Sequence, residues 1–303
     1  MLSLSTIMKN AYRSGIAIPA FNMPYLPMLK PVIQAVVDQD SFALLEVARL
    51  EWLKFGCRSA AAVKDEFAAW ADLDHVRLHL DHIPVIDEDG LEVNYLPIIQ
   101  EAIDLGYHSV MIDGSPLDLE GNIKATQQVA ALAHAAGIPC EAELGAIVRE
   151  GAGPQQSYEE LYASGKGFTN IEDASHFVSE TGCDWLSVAI GNIHGAVSEA
   201  LKGQKKTEAR LNLELLDRLN QATGIPLVLH GGSGVIREYL LAATKRGIAK
   251  VNVGFEIRST YEAALSASGV DVSAAQAAVY ERTCWLIRDY FGISGSRSTI
   301  AGE

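Results

Sequence analysis

Three of the eight histidines stand at or just beyond the ends of short apolar runs, where parallel α/β folds place catalytic residues. His82 follows VRLHLD, His194 follows LSVAIGNI and His230 follows PLVL. Three imidazoles are a common ligand set for a catalytic divalent cation, because they leave a coordination position open for substrate. The long separations in sequence leave a second interpretation open, in which each is a hydrogen-bonded rim histidine. For the other five histidines we expect packing or surface roles.

Asp81 directly precedes His82 and is a candidate acid or base beside such a metal. Adjacent residues of a strand point to opposite faces, so both side chains can face one site only if the strand ends there. The alternative is a carboxylate that caps a turn or holds a metal ligand in place.

Two glycine-rich turns also follow apolar runs: GNIHG at 191–195 and HGGSG at 230–234. Glycines let the main chain approach a ligand closely, and successive N–H groups form a nest that binds anions. Phosphate sites in α/β barrels often use loops near the end of the strand series, where HGGSG lies. A tight turn without a ligand is the other interpretation.

The elements that must position these residues are eight apolar runs, which alternate with segments of helical periodicity. Eight such units in series predict an α/β fold, a single (β/α)8 TIM barrel, rather than an open sheet. No linker interrupts the series, so we expect one domain over residues 1–303, with a C-terminal amphipathic helix at about 272–291 that covers the barrel flank or forms a subunit contact. The runs are Ala17–Asn22, Phe42–Val47, Val76–Asp81, His108–Asp113, Pro139–Leu144, Asp184–Ile190, Pro226–His230 and Ala249–Val253.

Composition excludes several classes of protein. With 303 residues, 49% of them hydrophobic and 20% charged, the chain can bury a core and is not disordered. A net charge of −14 disfavours nucleic-acid and anionic-membrane surfaces. The four cysteines form no CxxC pair, and neither a leader pattern nor eighteen consecutive apolar residues occur. We therefore expect a cytoplasmic protein with reduced thiols.

Seven motifs, in order along the chain, resemble the class II, zinc-dependent fructose- and tagatose-bisphosphate aldolases. They are AIPAFN, VRLHLDH, SVMIDGSPLDLEGNI, CEAELG, VSETGCDWLSVAIGNIHG, PLVLHGGSG and GIAKVNV, within about Gly15 to Arg258. The resemblance implies a dimeric or tetrameric barrel enzyme. It would make or cleave a carbon–carbon bond of a ketose phosphate or related keto-sugar through a metal-bound enediolate, with dihydroxyacetone phosphate or a similar ketone as one product.

The resemblance also implies roles for individual residues. It assigns one zinc ion per subunit to three histidines. One carboxylate would be a ligand for an alternative position of the metal, and a second carboxylate would lie nearby and support the site. Proton transfer, enediolate binding and phosphate binding fall to further residues, and a monovalent cation (Na⁺ or K⁺) would lie near the glycine turns. In that order the residues are His82, His194 and His230; Glu143; Asp113; Asp81; Asn252; and Gly195, Gly231 and Ser233, with Asn22 and Gly232 as further substrate-binding residues.

The sequence departs from the family where the substrate would bind. The loop after CEAELG lacks the GGxED pattern, which leaves Glu150 as the candidate carbon acid or base. Phe255 replaces a threonine that contributes to the phosphate site, and a phenyl ring cannot replace its hydroxyl donor. On the second run, Glu46 and Ala48 stand where the family often has Gln and Ser. These changes predict retained metal chemistry with an altered substrate.

Two alternatives to an aldolase stay open at this level. One is a metal-dependent epimerase or isomerase that uses the same enediolate, and the other is a non-catalytic subunit that binds sugar phosphates. The eroded GGxED pattern favours the latter, whereas the retained Asp81 and histidines weigh against it.

Overall fold

The computed structural model describes residues 2–145, 148–149, 158–194 and 208–302, and at its centre is a closed barrel of eight parallel strands. Strands β1 to β10 are Ile18–Asn22, Ala43–Ala48, Val76–Pro84, Ser109–Asp113, Cys140–Leu144, Val148–Arg149, Trp185–Val188, Ile193–His194, Leu227–Leu229 and Ile248–Val253. Around the barrel the order is β1, β10, β9, β7, β5, β4, β3, β2, while β6 and β8 form a separate parallel pair. The predicted (β/α)8 fold is confirmed.

Helices connect the strands and cover the outside of the barrel. Helices α1 to α13 are Leu4–Ser14, Leu29–Asp38, Arg49–Lys54, Ala60–Trp70, Tyr95–Asp104, Leu119–Ala135, Tyr158–Ser164, Ile171–Thr181, Leu213–Thr223, Arg237–Thr244, Phe255–Ala267, Val272–Trp285 and Arg297–Ala301. In the described part of the chain, no helix has the length and apolar character needed to cross a bilayer.

The predicted C-terminal helix is confirmed, and it ends in an unusual way. Helix α12 continues into a π-helical segment at Leu286–Phe291, so the helical stretch reaches the expected end. The side-chain amide of Gln276 donates to the carbonyl oxygen of Pro27 at 2.9 Å, next to the start of α2. The helix therefore covers the flank of the barrel.

The interior of the barrel is apolar at its amino-terminal end and charged towards the carboxyl ends of the strands. Helix α1 closes the amino-terminal end, because its apolar face packs against Ile18, Phe42 and Trp185. Residues two apart on a strand point to the same side, so every second residue of each strand lines the interior up to the carboxyl end of that strand. There it becomes charged, with fully buried side chains at Glu46, His79, Glu141 and Lys250.

Candidate active site and metal centre

Strand β3 contains a bulge at Asp81 and His82. Its register with β4 changes from Leu80 opposite Val110 to Ile83 opposite Ile112, so β3 has one extra residue in this interval. His82 takes up the extra length with φ of +35°, a left-handed conformation that is uncommon outside glycine. The strand does not end here, because β3 continues to Pro84. The bulge instead breaks the alternation of side chains and turns both towards the barrel mouth.

Three potential ligand atoms converge at this mouth, from β3, from β5 and from the residue directly after β9. His82 Nε2 lies 2.7 Å from His230 Nδ1, although the residues are far apart in sequence. Glu143 Oε2 lies 3.4 Å from His230 Nδ1 and 3.9 Å from His82 Nε2. Asp113 Oδ2 approaches the other side of the His82 ring, 3.5 Å from Nδ1. Its Oδ1 accepts from the hydroxyl of Ser115 at 2.6 Å, which fixes the carboxylate.

The remaining predicted ligand lies at the edge of the described structure. His194 belongs to β8, where its main chain pairs with Arg149 of β6. The side chain of His194 lies outside the described residues, as do Glu150 and Gly195. Their roles stay predictions.

This donor set fits a divalent metal ion. Zinc binds imidazole nitrogen and carboxylate oxygen at about 2.0–2.2 Å, so two ligand atoms on one tetrahedral ion lie roughly 3.3 Å apart, close to the spacing found here. Burial alone would lower the pKa of His82, but the charge of Asp81 and the hydrogen bond and charge of Asp113 raise it to about 10. The field that favours a proton on this ring would also favour a cation, so His82, His230 and Glu143 could hold one.

A buried ion pair supports His230 from within the barrel. Glu141 Oε1 lies 2.9 Å from His230 Nε2, and Glu141 Oε2 lies 2.9 Å from Lys250 Nζ. Burial would raise the pKa of Glu141, but the Lys250 ammonium and the His230 hydrogen bond lower it to about 2. A carboxylate on the far nitrogen orients a histidine and fixes which nitrogen faces the metal. Glu141 can therefore serve as the orienting partner of His230.

Two more buried groups complete this interior network. Glu46 Oε2 lies 3.1 Å from Lys250 Nζ, and burial raises the pKa of Glu46 well above its usual range. His79 Nδ1 shares a hydrogen bond of 2.7 Å with the hydroxyl of Ser109, and burial lowers the pKa of His79 to about 3. His79 is thus a neutral packing histidine, as expected.

Sequence reasoning missed Glu141 and Lys250, although a signal for both was present. Each lies two residues before a predicted site residue on the same strand, Glu143 and Asn252 respectively, and so points to the same side. Strands of a parallel barrel are buried on both faces, so a charged residue within one needs a charged partner.

Asp81 is held by two amides at the mouth. Asn22 Nδ2 donates to Asp81 Oδ2 at 3.0 Å, and Asn252 Nδ2 donates to Oδ1 at 3.1 Å. Burial would raise the pKa of Asp81, but His82 and Lys250 hold it well below its usual range. The carboxylate is ionised, oriented and 1% exposed, so it can accept a proton from a bound ligand.

The HGGSG turn packs tightly against the last barrel strand. Gly231 adopts φ of +72°, and a 3₁₀ turn follows at Gly232–Gly234. The hydroxyl of Ser233 accepts from the main-chain N–H of Glu256 at 3.4 Å, so the turn faces the first turn of α11. This arrangement of main-chain donors can bind an anion, although the assignment to a phosphate stays a prediction.

The neighbouring GNIHG turn is tied to the same place. The side chain of Asn192 donates to the main-chain oxygen of His230 at 3.0 Å and accepts from the N–H of Ile190 at 3.0 Å. The two glycine turns are therefore one connected structure.

Comparison with known proteins identifies related chains. A family profile described as class-II fructose-bisphosphate aldolase matches residues 2–295. A fructose-bisphosphate aldolase from Streptococcus pneumoniae is 34% identical over 265 residues, which span 86% of this chain and 81% of the relative. The protein YdjI from Escherichia coli is 40% identical over 162 residues, which span 54% of this chain and 53% of YdjI.

Solved structures show the same similarity. The crystal structure of the YdjI aldolase superposes with a TM-score of 0.75 and 28% identity, covering 97% of this chain and all of YdjI (100%). A fructose-bisphosphate aldolase from Campylobacter jejuni superposes with a TM-score of 0.70 over 96% of this chain and 95% of the other. At 18% identity, that second likeness concerns the fold alone.

Proposed function

Because this chain belongs to the class-II fructose-bisphosphate aldolase family, we propose that it makes or cleaves a carbon–carbon bond of a ketose phosphate, with dihydroxyacetone phosphate or a similar ketone as one product. One observation carries the proposal. The potential ligand atoms of His82, His230 and Glu143 converge beside an ionised Asp81 that two amides hold. The family match favours this activity over an epimerase, an isomerase or a non-catalytic subunit.

We propose Zn²⁺ as the metal, with His82, His194 and His230 as its ligands and Glu143 as a ligand for an alternative position. The described donors, nitrogen and carboxylate oxygen, suit this ion. A bound zinc ion would supply Lewis-acid stabilisation of the negative charge that develops on a carbonyl oxygen during cleavage.

The protein's own groups account for the remaining steps. Asp81 would take the proton from the hydroxyl that becomes the aldehyde oxygen. Asn252 Oδ1 is buried and, within the described part of the chain, has no hydrogen-bond partner, so it can accept from a substrate hydroxyl. The main-chain N–H groups and hydroxyl of Gly231, Gly232 and Ser233 would bind the phosphate of the ketone half.

Four expectations accompany this proposal. We propose that residues 1–303 form one domain and that the protein assembles as a homodimer or homotetramer. We also propose that a Na⁺ or K⁺ ion binds near the glycine turns and that Glu150 transfers a proton at carbon. Light scattering tests the number of subunits, and activity in buffers with and without Na⁺ or K⁺ tests the monovalent-cation site.

The central test is turnover of ketose phosphates by the metal-loaded protein. Aldehyde release supports an aldolase, inversion at carbon without cleavage supports an epimerase, and binding without turnover supports a non-catalytic subunit. Asp81→Ala should retain the metal but lower kcat by about 10²–10⁴-fold, since it removes the proton acceptor. Asp118→Asn, which alters a carboxylate that caps α6, is the matched control. Full activity in Asp81→Ala would remove Asp81 from the mechanism.

A further inference from the structure

A cluster of polar and aromatic side chains lies at the barrel mouth on the side of β10, β1 and β2. These strands are neighbours in the barrel, and the cluster comes from the segments that follow them. Tyr25 follows β1, Glu51 and Phe55 follow β2, and Arg258 and Glu262 lie on α11 after β10. We call these five residues the β1-side cluster.

The β1-side cluster reaches Asp81 through a single side chain. The Asn22 amide donates to Asp81 at 3.0 Å, and it also lies close enough to the carboxyl group of Glu51 to lower the pKa of that group, against the larger effect of burial. Glu51 Oε2 accepts from the main-chain N–H of Ala48 at 2.9 Å, so the carboxyl group is fixed, and 9% of the residue stays exposed. On the proposed function, Asp81 takes its proton from the aldehyde half of the substrate. That half must then lie beside Asp81 and the β1-side cluster.

Two arginines on this side of the mouth already have carboxylate partners. Arg258 Nη1 lies 3.2 Å from both oxygens of Glu262, and its guanidinium lies 5.1 Å from the centre of the Phe55 ring. Glu262 Oε1 also accepts from the hydroxyl of Tyr25 at 2.8 Å. Arg49, which follows β2, lies 3.4 Å from Asp87. The charge of each of these two arginines is therefore already paired with a carboxylate of the protein.

The groups that the β1-side cluster offers beside Asp81 suit the hydroxyls of an aldehyde better than they suit a phosphate group on it. A phosphate dianion needs cations or N–H and O–H donors, and Ala48 contributes no hydroxyl. Whether ionised or protonated, Glu51 cannot neutralise a dianion. A carboxyl group can, however, accept hydrogen bonds from sugar hydroxyls.

We propose that the aldehyde half of the substrate is a hydroxylated aldehyde without a phosphate, so that the substrate is a ketose 1-phosphate and not a bisphosphate. In cleavage, the bond between the ketone and aldehyde halves breaks, and the hydroxyl proton goes to Asp81 as that oxygen becomes the aldehyde carbonyl. The electron pair of the bond passes to the ketone half, which then takes up one proton at carbon. The only phosphate of the substrate is the one at the glycine turns.

The test separates this inference from the proposed function. Exchange of a carbon-bound proton of dihydroxyacetone phosphate with D₂O, followed by NMR, needs only the ketone half and so tests the proposed function. Condensation of dihydroxyacetone phosphate with hydroxylated aldehydes of three to six carbons is then compared with condensation with the same aldehydes carrying a terminal phosphate. We expect kcat/KM to favour the unphosphorylated series by about a hundredfold. Exchange with equal or faster use of phosphorylated aldehydes overturns this inference alone, whereas absence of exchange and of condensation overturns both.

Two variants locate the preference in the β1-side cluster. Glu262→Gln releases Arg258, and we expect the ratio of kcat/KM for phosphorylated over unphosphorylated aldehyde to rise about tenfold. Glu281→Gln, on the exposed face of α12, should leave that ratio unchanged. Glu51→Ala should raise KM for the unphosphorylated aldehyde about tenfold while the D₂O exchange of the ketone half stays within about twofold. A loss of exchange in Glu51→Ala would indicate a role in folding instead, and unchanged ratios in both variants would refute the assignment.

Discussion

Replacing Lys250 with methionine should destabilise the protein strongly, because it removes the cation from a fully buried network. Lys250 Nζ lies 2.9 Å from Glu141 Oε2 and 3.1 Å from Glu46 Oε2, and all three side chains have 0% exposure. At about 3 Å and an effective dielectric constant of about 20, the attraction between one ionised pair is roughly 5 kcal/mol before desolvation. Breaking a buried pair by removing one partner costs about 3–5 kcal/mol in measured cases.

We therefore expect Lys250→Met to lower the free energy of unfolding by about 3–5 kcal/mol at pH 7. Urea-induced unfolding, followed by far-UV circular dichroism, measures this quantity. Lys245→Met is the matched control, since Lys245 makes one long, exposed contact with the Gly15 carbonyl oxygen at 3.4 Å. That control should change stability by less than about 0.5 kcal/mol. A change below about 1 kcal/mol in Lys250→Met would show that the network does not depend on this ammonium group.

Three further predictions concern the mouth of the barrel. Gly232→Ala should cost about 1–3 kcal/mol of stability and lower kcat, because the added Cβ would lie 2.3 Å from Val251 Cγ1 and 2.9 Å from the main-chain oxygen of Asn252. Wild-type stability of this variant would contradict the tight packing of the turn. Burial raises the pKa of Glu51 from 4.5 to about 8, so its protonated form favours folding, and this contribution is complete below pH 4.5 and is lost as pH rises through 8. Glu51→Gln should therefore gain stability relative to wild type over that interval in urea titrations, and a constant difference would refute the shift. Removal of divalent metal by a chelator should lower Tm, and Zn²⁺ at a hundred times its Kd should restore about 2.7 kcal/mol; a Tm indifferent to Zn²⁺ would contradict a metal centre in the folded protein.

Much of the fold could be predicted from the sequence, because its signals are local. Apolar runs that alternate with helical periodicity predict each barrel strand, and glycines past the helices predict the turns between them. Asn170, for example, directly precedes the helical periodicity of IEDASHFVSET, and its side chain caps α8 by accepting from the N–H of Asp173 at 3.0 Å. Such interactions depend on neighbours within a few residues.

The candidate site was only partly predictable, because its geometry depends on how strands pair. Polar residues at strand ends predicted that His82, Asp81 and His230 lie together, and the structure brings them to one mouth. The bulge at His82 depends on the register between β3 and β4, which no local pattern specifies. The pairing of Glu141 with Lys250 likewise joins strands that are not neighbours in the barrel.

The extra residue in β3 has a consequence for how this region can vary. Shortening the strand by one position would restore regular alternation and send one member of the adjacent acid–imidazole pair outward among the surrounding helices. Length in this strand is therefore as much a requirement of the chemistry as the identity of the side chains. Substitutions of residues that flank Asp81 and His82 preserve this length, whereas a deletion between Leu80 and Ile83 separates the proposed proton acceptor from the proposed metal ligand in a single step.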